Sequence, residues 1–302
     1  MATLYALVYR MYFAVRNSGA EGLLRRWPPA GRTLDRLKRS IQRHLWVQVQ
    51  TGLSQGMWMH LRLPSEGAYW RGTHEPDVQH AISVAVRPGA VVYDVGAHLG
   101  SIALGTARLV GDSGCVVAFD GDPENVSRLK ESSSRNGLAN HLQVLHAAVW
   151  SHTRDDGILF RRGSMVKSQG GVEYNGNRPV LGSGEAIRVP AVTLDDFVRA
   201  GGPPPQLLKI DVEGGEYQVL LGGANLFASQ RPLIIAEVHH QQAAEQISAW
   251  LGENHYCAQW RRPCAELPPH REARAPEGFP QRLFAWPAEY DGAAWMAKLL
   301  TS

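Results

Sequence analysis

Short apolar runs recur through the middle of the chain, and they lack the alternation of apolar and polar residues that marks a strand with one face in water. Five of them cover Val91–Tyr93, Cys115–Phe119, Leu142–Leu145, Leu207–Ile210 and Leu233–Val238. Strands that are covered on both faces have this pattern. Helical patterns separate most of the runs, so the succession predicts βαβ crossovers and a mostly parallel sheet. We therefore expect a doubly wound α/β fold.

The flanking segments predict further elements of the same domain. Met57–Leu63 alternates as a short strand does, and Glu75-Pro76 begins an amphipathic helix that ends before Pro88-Gly89. His255–Trp260 and Arg282–Trp286 are two late strand candidates, joined by a Pro-rich stretch without a helical pattern. These two segments can form an antiparallel pair.

The first part of the chain has a different pattern. We expect residues 1–56 to form an N-terminal basic helical appendage and residues 57–302 to form the main domain. Helical segments extend to about residue 50 in this interpretation, with breaks at Asn17–Gly19 and Trp27–Pro29, because Gly and Pro interrupt helices.

Charge distinguishes this appendage from the rest of the chain. Residues 1–65 hold ten Lys and Arg against Glu21 and Asp35, a surplus of 10 − 2 = +8, whereas the whole chain carries +3. The remainder is therefore 3 − 8 = −5. A basic arm with interleaved aromatic residues can rest on an anionic membrane surface or bind an acidic partner. Packing on the core, with the arginines in water, explains the same pattern.

A Gly-rich segment interrupts the succession of strands and helices at about residues 151–190. It is too long for an ordinary connection, and loops of that length are usually functional or disordered. We interpret it as a lid or a substrate-facing insertion around a short strand, Ile158–Phe160.

Composition places the protein in a broad class. With 302 residues, of which 44% are apolar, the chain can bury a substantial core. Cys115, Cys257 and Cys264 are an odd number without a CxxC pair, which argues against a disulfide framework and a thiolate zinc site. No run approaches the roughly 20 apolar residues that span a bilayer. We expect a cytoplasmic protein whose arm allows peripheral membrane contact, and the sequence leaves the oligomeric state open.

The strongest local signal is the segment from Val91 to Gly100, a strand that ends in Asp94 and turns through Gly96 and Gly100 into a helix. In doubly wound folds, ligands bind at the carboxyl ends of strands, and glycine lets the backbone approach them closely. The spacing is GxxxG, which matches neither the GxGxxG of a dinucleotide site nor the GxxxxGK of a phosphate loop. We therefore expect a cofactor without a phosphate over this turn.

A second acid, Asp120, ends the next predicted strand at the spacing where such folds place a carboxylate against ribose hydroxyls. One carboxylate can accept hydrogen bonds from both hydroxyls. An acid, a glycine turn and a second acid on successive strands suit a cofactor with an ammonium group and a ribose. S-adenosylmethionine has these groups.

Three motifs make the chain resemble the FkbM-type methyltransferase family: Asp94–Ala97, Lys209–Glu216 and Arg231–His239. Thr193–Asp196 also matches, and the resemblance covers roughly residues 75–290. It implies a class I methyltransferase fold, which is a Rossmann-like, seven-stranded and mostly parallel sheet. It also implies S-adenosylmethionine as the methyl donor and O-methylation of a hydroxyl on a sugar, glycolipid or secondary metabolite. Asp94, Gly96, Ala97, Gly100, Asp120 and Asp211 are then the expected cofactor-binding residues.

The chain departs from the family pattern at two positions. Gly121 stands where proline usually follows the ribose-binding acid, and Ser132 stands where an asparagine is common in the following helix. Both positions are peripheral to the expected chemistry.

Candidate catalytic groups follow two of the later strands. Asp211 and Glu213 come after Leu207–Ile210, and Glu237 and His239 stand two residues apart on the last long apolar strand. Methyl transfer to an alcohol needs an aligned acceptor and a group that removes its proton. We expect His239 to be the general base, because an ordinary histidine pKa near 6.5 leaves a neutral fraction at physiological pH, and Glu237 to orient it.

Other roles for these residues stay open. His239 or its neighbour can simply bond a backbone carbonyl, and Asp211 can position the cofactor or cap the following helix. Asp211, Glu213, Glu237 and His239 also form an oxygen-rich set that is compatible with Mg²⁺ against a vicinal diol. Proximity on two strands does not establish coordination geometry, so metal dependence stays open.

Three other functions compete with this interpretation. A nucleic-acid methyltransferase would use the basic arm to follow phosphates, but its channel should be basic and the core carries −5. A non-catalytic module would keep the fold without the chemistry, yet it would not need all the acids and glycines of the expected site. A dehydrogenase would need the missing second glycine of its fingerprint.

Overall fold

The computed structural model describes residues 43–161, 171–172, 186–261, 278, 280–291 and 295. The strands in chain order are β1 (Arg43–Gln48), β2 (Trp58–Leu63), β3 (Val91–Val95), β4 (Cys115–Asp120), β5 (Leu142–His146), β6 (Ala148–Val149), β7 (Arg154–Arg161), β8 (Gly171–Val172), β9 (Ala186–Val192), β10 (Leu207–Ile210), β11 (Leu233–Val238), β12 (Tyr256–Arg261) and β13 (Gln281–Pro287). The helices are α1 (Gly67–Arg71), α2 (Pro76–Ala85), α3 (Ser101–Val110), α4 (Pro123–Arg135), α5 (Leu194–Arg199), α6 (Glu216–Leu221), α7 (Ala224–Gln230) and α8 (Gln241–Glu253). None of the described helices is long and apolar enough to cross a bilayer.

A seven-stranded sheet forms the centre of the molecule, in the order β12-β13-β11-β10-β3-β4-β5. The pairs from β11 through β10, β3 and β4 to β5 are parallel, whereas β13 runs antiparallel to both of its neighbours. This confirms the doubly wound α/β fold, the seven predicted strands and the late antiparallel pair. The strand order reverses between β3 and β10, and ligands bind at such a switch point in open α/β sheets.

Alternate residues of the central strands are buried on opposite faces of this sheet. On β3, Val92 packs in the core that includes α2 and α3, while Tyr93 packs in the core that includes α7 and α8. On β4, Ala118 and Phe119 divide between the same two cores. Because helices cover both faces, the apolar runs do not alternate with polar residues.

The first described strand corrects the expectation of helical structure up to about residue 50. Arg43–Gln48 forms β1, which pairs antiparallel with β2 from Arg43 opposite Leu63 to Gln48 opposite Trp58. Met59 and Leu61 on one face of β2 are buried in the core. The backbone of β2 is thereby fixed, and residues 43–48 form hydrogen bonds along its edge. The rest of the appendage, residues 1–42, lies outside the described residues, and its membrane or partner contact stays a prediction.

A second, four-stranded sheet is built from the ends of the Gly-rich insertion, in the order β6-β9-β7-β8. The predicted strand Ile158–Phe160 lies within β7, where both of these side chains are buried with Val189 of β9. Residues 162–170 and 173–185 lie outside the described residues. The role of the insertion as a lid therefore stays a prediction.

A buried ion pair attaches the β1-β2 hairpin and α1 to the central domain. Arg128 of α4 donates to both carboxylate oxygens of Glu66, at 3.0 Å for the Nη1–Oε1 contact, and also to the carbonyl oxygen of His60. Both side chains of the pair are 6% exposed. Since a buried charge that loses its partner is costly, this pair fixes the hairpin against α4.

We predict that Glu66→Ala lowers the free energy of unfolding by ~3–5 kcal/mol, because Arg128 would stay buried without its carboxylate. Glu131→Ala is the matched control on the same surface, where Glu131 is 47% exposed and lies 2.9 Å from His60 Nδ1. An exposed pair of this kind contributes less than about 1 kcal/mol. Urea denaturation of both variants measures the difference, and equal losses would contradict the assignment.

Candidate functional site

The carboxyl ends of β3, β4, β10 and β11 open onto a cavity of about 300 Å³. It lies where the strand order reverses, as expected for a ligand site in this fold. Residues from all four strand ends and from the segment before α2 line it: Tyr69, His74, Glu75, Val95–His98, Asp120, Lys209, Asp211–Glu213 and Glu237.

The glycine turn after β3 is packed against the turn after β10. Gly96 has φ of +82°, and a Cβ at this position would lie 1.7 Å from the carbonyl oxygen of Asp211. The amides of Gly96 and Ala97 donate to the carbonyl oxygen of Phe119, at 2.9 Å each. Both residues line the cavity, as expected for cofactor-binding positions.

Asp94 and Gly100 were expected beside the cofactor, but they are not among the described residues that line the cavity. The Asp94 side chain is buried behind the turn, with Oδ1 3.4 Å from Lys209 Nζ. Gly100 has φ of +80°, and a Cβ there would lie 2.0 Å from a methyl group of Leu129. Their positions are explained by an internal ion pair and by close packing of α4.

Asp120 ends β4 and lines the cavity, where the sequence predicts the ribose-binding acid. Its Oδ2 accepts from the amide of His98 at 2.7 Å, and its Oδ1 accepts from the amide of Asp122 at 2.8 Å and from Asn125. Burial raises the pKa of Asp120 to about 6 against the lowering effect of these hydrogen bonds. The carboxylate is thus fixed in orientation, and Oδ2, which accepts from one amide, retains capacity for a further donor.

Lys209 is a buried cation in the middle of the apolar strand β10. Its Nζ donates to the carbonyl oxygen of Gly96 at 3.1 Å and lies 3.4 Å from Asp94 Oδ1 and 3.5 Å from Asp211 Oδ2. Burial lowers the pKa of Lys209, but the charges of Asp94, Asp211 and Glu75 outweigh burial and raise it above its ordinary value. The ammonium group is charged and joins the turns after β3 and β10.

Arg282 of β13 is a second buried cation on the other side of the cavity. It binds Glu75 Oε1 at 2.7 Å, Asp77 Oδ2 at 3.2 Å and Glu237 Oε2 at 2.7 Å, and its side chain is 2% exposed. Burial favours the neutral acid of Glu75, but Lys209 and Arg282 outweigh it and lower the pKa of Glu75 to about 2. One oxygen of Glu237 is therefore held by Arg282 while its carboxylate lines the cavity.

Four carboxylates surround His239, which was the expected general base. Its Nδ1 lies 2.7 Å from Glu216 Oε1, and its Nε2 lies 3.3 Å from Glu213, 3.6 Å from Asp211 and 3.7 Å from Glu237. Burial lowers the pKa of His239, but Glu216, Asp211 and Glu213 outweigh burial and raise it to about 10. The pKa of His239 therefore lies above the ordinary value near 6.5 on which the sequence-based expectation rested, because these acids stabilise the imidazolium.

The residue that orients His239 is Glu216 rather than Glu237. Glu216 begins α6, where it is buried and accepts both the imidazole contact and the amide of Gly214. Glu237 lies farther from the imidazole because Arg282 binds its Oε2. The imidazole itself is not among the described residues that line the cavity, whereas Asp211, Glu213 and Glu237 are.

Burial raises the pKa of Glu213 to about 7, and it raises the pKa of Glu237 to about 7 against the attraction of Arg282. A carboxylate in this range can accept a proton at neutral pH and release it again. The acids that line the cavity are thus better suited than the imidazole to proton transfer.

Three of the described non-glycine residues with positive φ lie at the cavity. They are Glu75, His98 and Glu213, with φ of +49°, +51° and +53°. Such conformations cost about 1–3 kcal/mol each and cluster at functional sites, where the surrounding structure maintains them. Their position supports the assignment of this cavity as the functional site.

Two groups of side chains in the described residues have the spacing of metal ligands. One comprises Asp211, Glu213 and His239, and the other comprises Glu75, Asp211 and Glu237, with donor atoms within 4.8 Å of one another. Arg282 already neutralises two members of the second group. The first group is therefore the better candidate.

The sequence patterns did not reveal Lys209 and Arg282 as buried cations of the site, or Glu216 as the acid that contacts His239 Nδ1. A lysine within the apolar run Leu207–Ile210 was a usable signal, since a buried cation needs carboxylate partners. Arg282 and Glu75 are separated by 207 positions along the chain, and no local pattern joins them.

A family model for the methyltransferase FkbM domain matches residues 94–262 of this chain. The hexuronic acid methyltransferase AglP of Haloferax volcanii is 26% identical over 181 residues, which are 59% of this chain and 68% of that protein.

Two solved structures have a similar fold. The FkbM methyltransferase of Methylobacillus flagellatus is 14% identical, with a TM-score of 0.43 and coverage of 74% of this chain and 58% of that one. The S-adenosylmethionine-dependent O-methyltransferase of Thermotoga maritima is 14% identical, with a TM-score of 0.39 and coverage of 71% and 65%. This chain thus spans less than two thirds of either solved protein. Because the domain match covers more than half of the 302 residues, the chain belongs to the FkbM family of methyltransferases.

Proposed function

We propose that this S-adenosylmethionine-dependent methyltransferase methylates a hydroxyl group on a sugar, glycolipid or secondary metabolite. One observation carries the proposal: a single cavity joins the turn at Gly96 and Ala97 and the acid Asp120 to the carboxylates of Glu213 and Glu237. The first part suits the donor, and the second part suits an acceptor that must lose a proton.

The donor has groups that match the first part of the cavity. Its two ribose hydroxyls are hydrogen-bond donors, and Asp120 is a fixed acceptor at the end of β4. The ammonium and sulfonium groups are cations, and the acids after β10 offer negative charge beside the glycine turn. We propose Asp120 as the ribose-binding residue, with Gly96 and Ala97 under the donor and Asp211 near its charged end.

The reaction needs one bond to form and one to break. The acceptor oxygen forms a bond to the methyl carbon while the carbon–sulfur bond breaks, and the electron pair of that bond stays on sulfur in S-adenosylhomocysteine. The hydroxyl proton passes to a carboxylate at the cavity. We assign this role to Glu237, because it lines the cavity and Arg282 fixes one of its oxygens at 2.7 Å.

The charge of the cavity favours a hydroxyl over a carboxyl group as the reacting acceptor. Asp211, Glu213 and Glu237 together line its acceptor side, and a carboxylate brought among them would be repelled. A neutral hydroxyl meets no such penalty. The relative named as a hexuronic acid methyltransferase supports a sugar acceptor, so glycosides and uronic acids come first in a screen.

Calorimetric titration with S-adenosylmethionine and S-adenosylhomocysteine, with a nicotinamide dinucleotide as control, tests the donor. We expect saturable one-site binding of the first two compounds alone. Transfer of a radiolabelled methyl group to a panel of uronic acids, neutral glycosides and glycolipids then tests the acceptor, with alkaline hydrolysis separating methyl ethers from methyl esters. Alkali-labile product would contradict hydroxyl methylation, and absence of donor binding would contradict the proposal as a whole.

We predict that Asp120→Asn weakens donor binding by about 10- to 100-fold, because hydrogen bonds to a charged acceptor contribute about 1.5–3 kcal/mol. Asp112→Asn is the matched control, since its side chain is fully exposed near His141 and away from the cavity. Calorimetry gives the two affinities, and thermal unfolding confirms that both variants fold. Unchanged affinity in the first variant would remove Asp120 as the ribose-binding residue.

We predict that Glu237→Gln slows methyl transfer by about 10²- to 10⁴-fold, the usual contribution of a positioned base, while donor affinity stays within twofold. Glu245→Gln on the exposed side of α8 is the control, because its side chain accepts from Gln241 on the preceding turn and is not among the described residues that line the cavity. Single-turnover kinetics with saturating donor separates the chemical step from binding. A normal rate in Glu237→Gln would assign the proton to another group.

A further inference from the structure

We propose that Asp211, Glu213 and His239 bind a divalent metal ion of the Mg²⁺ and Mn²⁺ class beside the acceptor. The inference deepens the proposed function and rests on it, since the ion would act on the same acceptor hydroxyl. It is carried by the spacing of the donor atoms, the orientation of the imidazole and the charge around them.

The spacing of the three side chains matches ligands that share one ion. His239 Nε2 lies 3.3 Å from Glu213 Oε2 and 3.6 Å from Asp211 Oδ1. Adjacent ligands at right angles around an ion with bonds of about 2.1 Å are separated by about 3.0 Å. The observed separations therefore need to contract by only a few tenths of an ångström to hold an ion.

The imidazole is oriented as metal-binding histidines usually are. Its side chain is 8% exposed, and Nδ1 lies 2.7 Å from Oε1 of Glu216, which is 1% exposed. A histidine that donates Nδ1–H to a carboxylate presents the lone pair of Nε2 to a metal, and such outer carboxylates fix the tautomer and the ring. Here Nε2 faces Asp211 and Glu213, the two other proposed ligands.

One oxygen of Asp211 accepts no hydrogen bond from any described residue. Asp211 Oδ2 lies near Lys209, but Oδ1 is buried without a hydrogen bond from any described residue, and it is the oxygen that faces His239. Buried polar atoms without partners are uncommon in native proteins and call for an explanation such as an ion. A cation between Oδ1 and the imidazole would satisfy it.

The net negative charge around Asp211, Glu213 and His239 favours the binding of a cation there. The acids Glu75, Asp211, Glu213, Glu216 and Glu237 outnumber the permanent cations Lys209 and Arg282 among the described residues near this position. Burying carboxylates without compensation is costly. Carboxylate oxygens with one imidazole suit Mn²⁺ or Mg²⁺ better than the thiolate-seeking metals.

An ion held here would face the acceptor side of the cavity, because Asp211 and Glu213 line it. A divalent cation polarises an oxygen close to it and favours loss of its proton. It would thus prepare the acceptor hydroxyl while Glu237 takes up the proton.

The test is a titration of the full chain with Mn²⁺, followed by electron paramagnetic resonance of the free ion. We expect one saturable site that Mg²⁺ competes for, and at least tenfold weaker binding in Asp211→Asn and His239→Gln. The matched control is His141→Gln, because His141 precedes β5 at the opposite edge of the sheet, near Asp112. Its Mn²⁺ affinity should stay unchanged.

Thermal unfolding of each variant accompanies the titrations and shows that the variants fold. Absence of a saturable Mn²⁺ site in the unaltered chain, or equal affinity in all three variants, would overturn the metal proposal. Methyl transfer at full rate after chelation would overturn it as well, yet would leave the proposed methyltransferase function intact. Loss of transfer on chelation and its recovery with Mg²⁺ would support the proposal.

Discussion

The ammonium group of Lys209 is the contact on which the whole site depends. It bridges the turn after β3, through the carbonyl oxygen of Gly96, to the acids Asp94 and Asp211. Without it the buried carboxylate of Asp94 would lose the cation that lies 3.4 Å away, and leaving a buried charge unpaired typically costs several kcal/mol. Because β3 and β10 are paired neighbours at the reversal of strand order, this side chain joins the turns that follow the two strands, where the cavity opens.

Packing between the turn after β3 and the turn after β10 couples the proposed donor region to the proposed acceptor region. Gly96 packs so closely on the backbone of Asp211 that no other side chain fits, and Asp211 in turn begins the segment that carries Glu213 and Glu216. A shift of the glycine turn therefore displaces the acids. Methyl transfer depends on alignment to within about an ångström, so packing between two turns is a physical basis for that alignment.

The sequence predicts the sheet well because each central strand is a short apolar run covered on both faces. It fails for Arg43–Gln48, where a basic, half-exposed edge strand lacks that signal and is defined by its partner β2. At the site, strand-end acids and the glycine turn are predictable from local order. The environment of His239 is not, because Glu216 lies 23 positions away and raises the pKa that local reasoning takes as ordinary.

The two departures from the family pattern, Gly121 and Ser132, both contact elements that lie outside the matched motifs. A Cβ at Gly121 would lie 2.8 Å from the ring of Phe160, so the β7 strand of the insertion reaches the cavity wall only because residue 121 has no side chain. The Ser132 hydroxyl accepts from the amide of His60 in β2 and donates to the carbonyl oxygen of Arg128. Gly121 leaves room for Phe160 of the insertion at the cavity. Ser132 binds the β1-β2 hairpin to α4 through His60. Phe160 of the insertion thus lies in the cavity wall against Gly121, next to Asp120, which we propose as the ribose-binding acid.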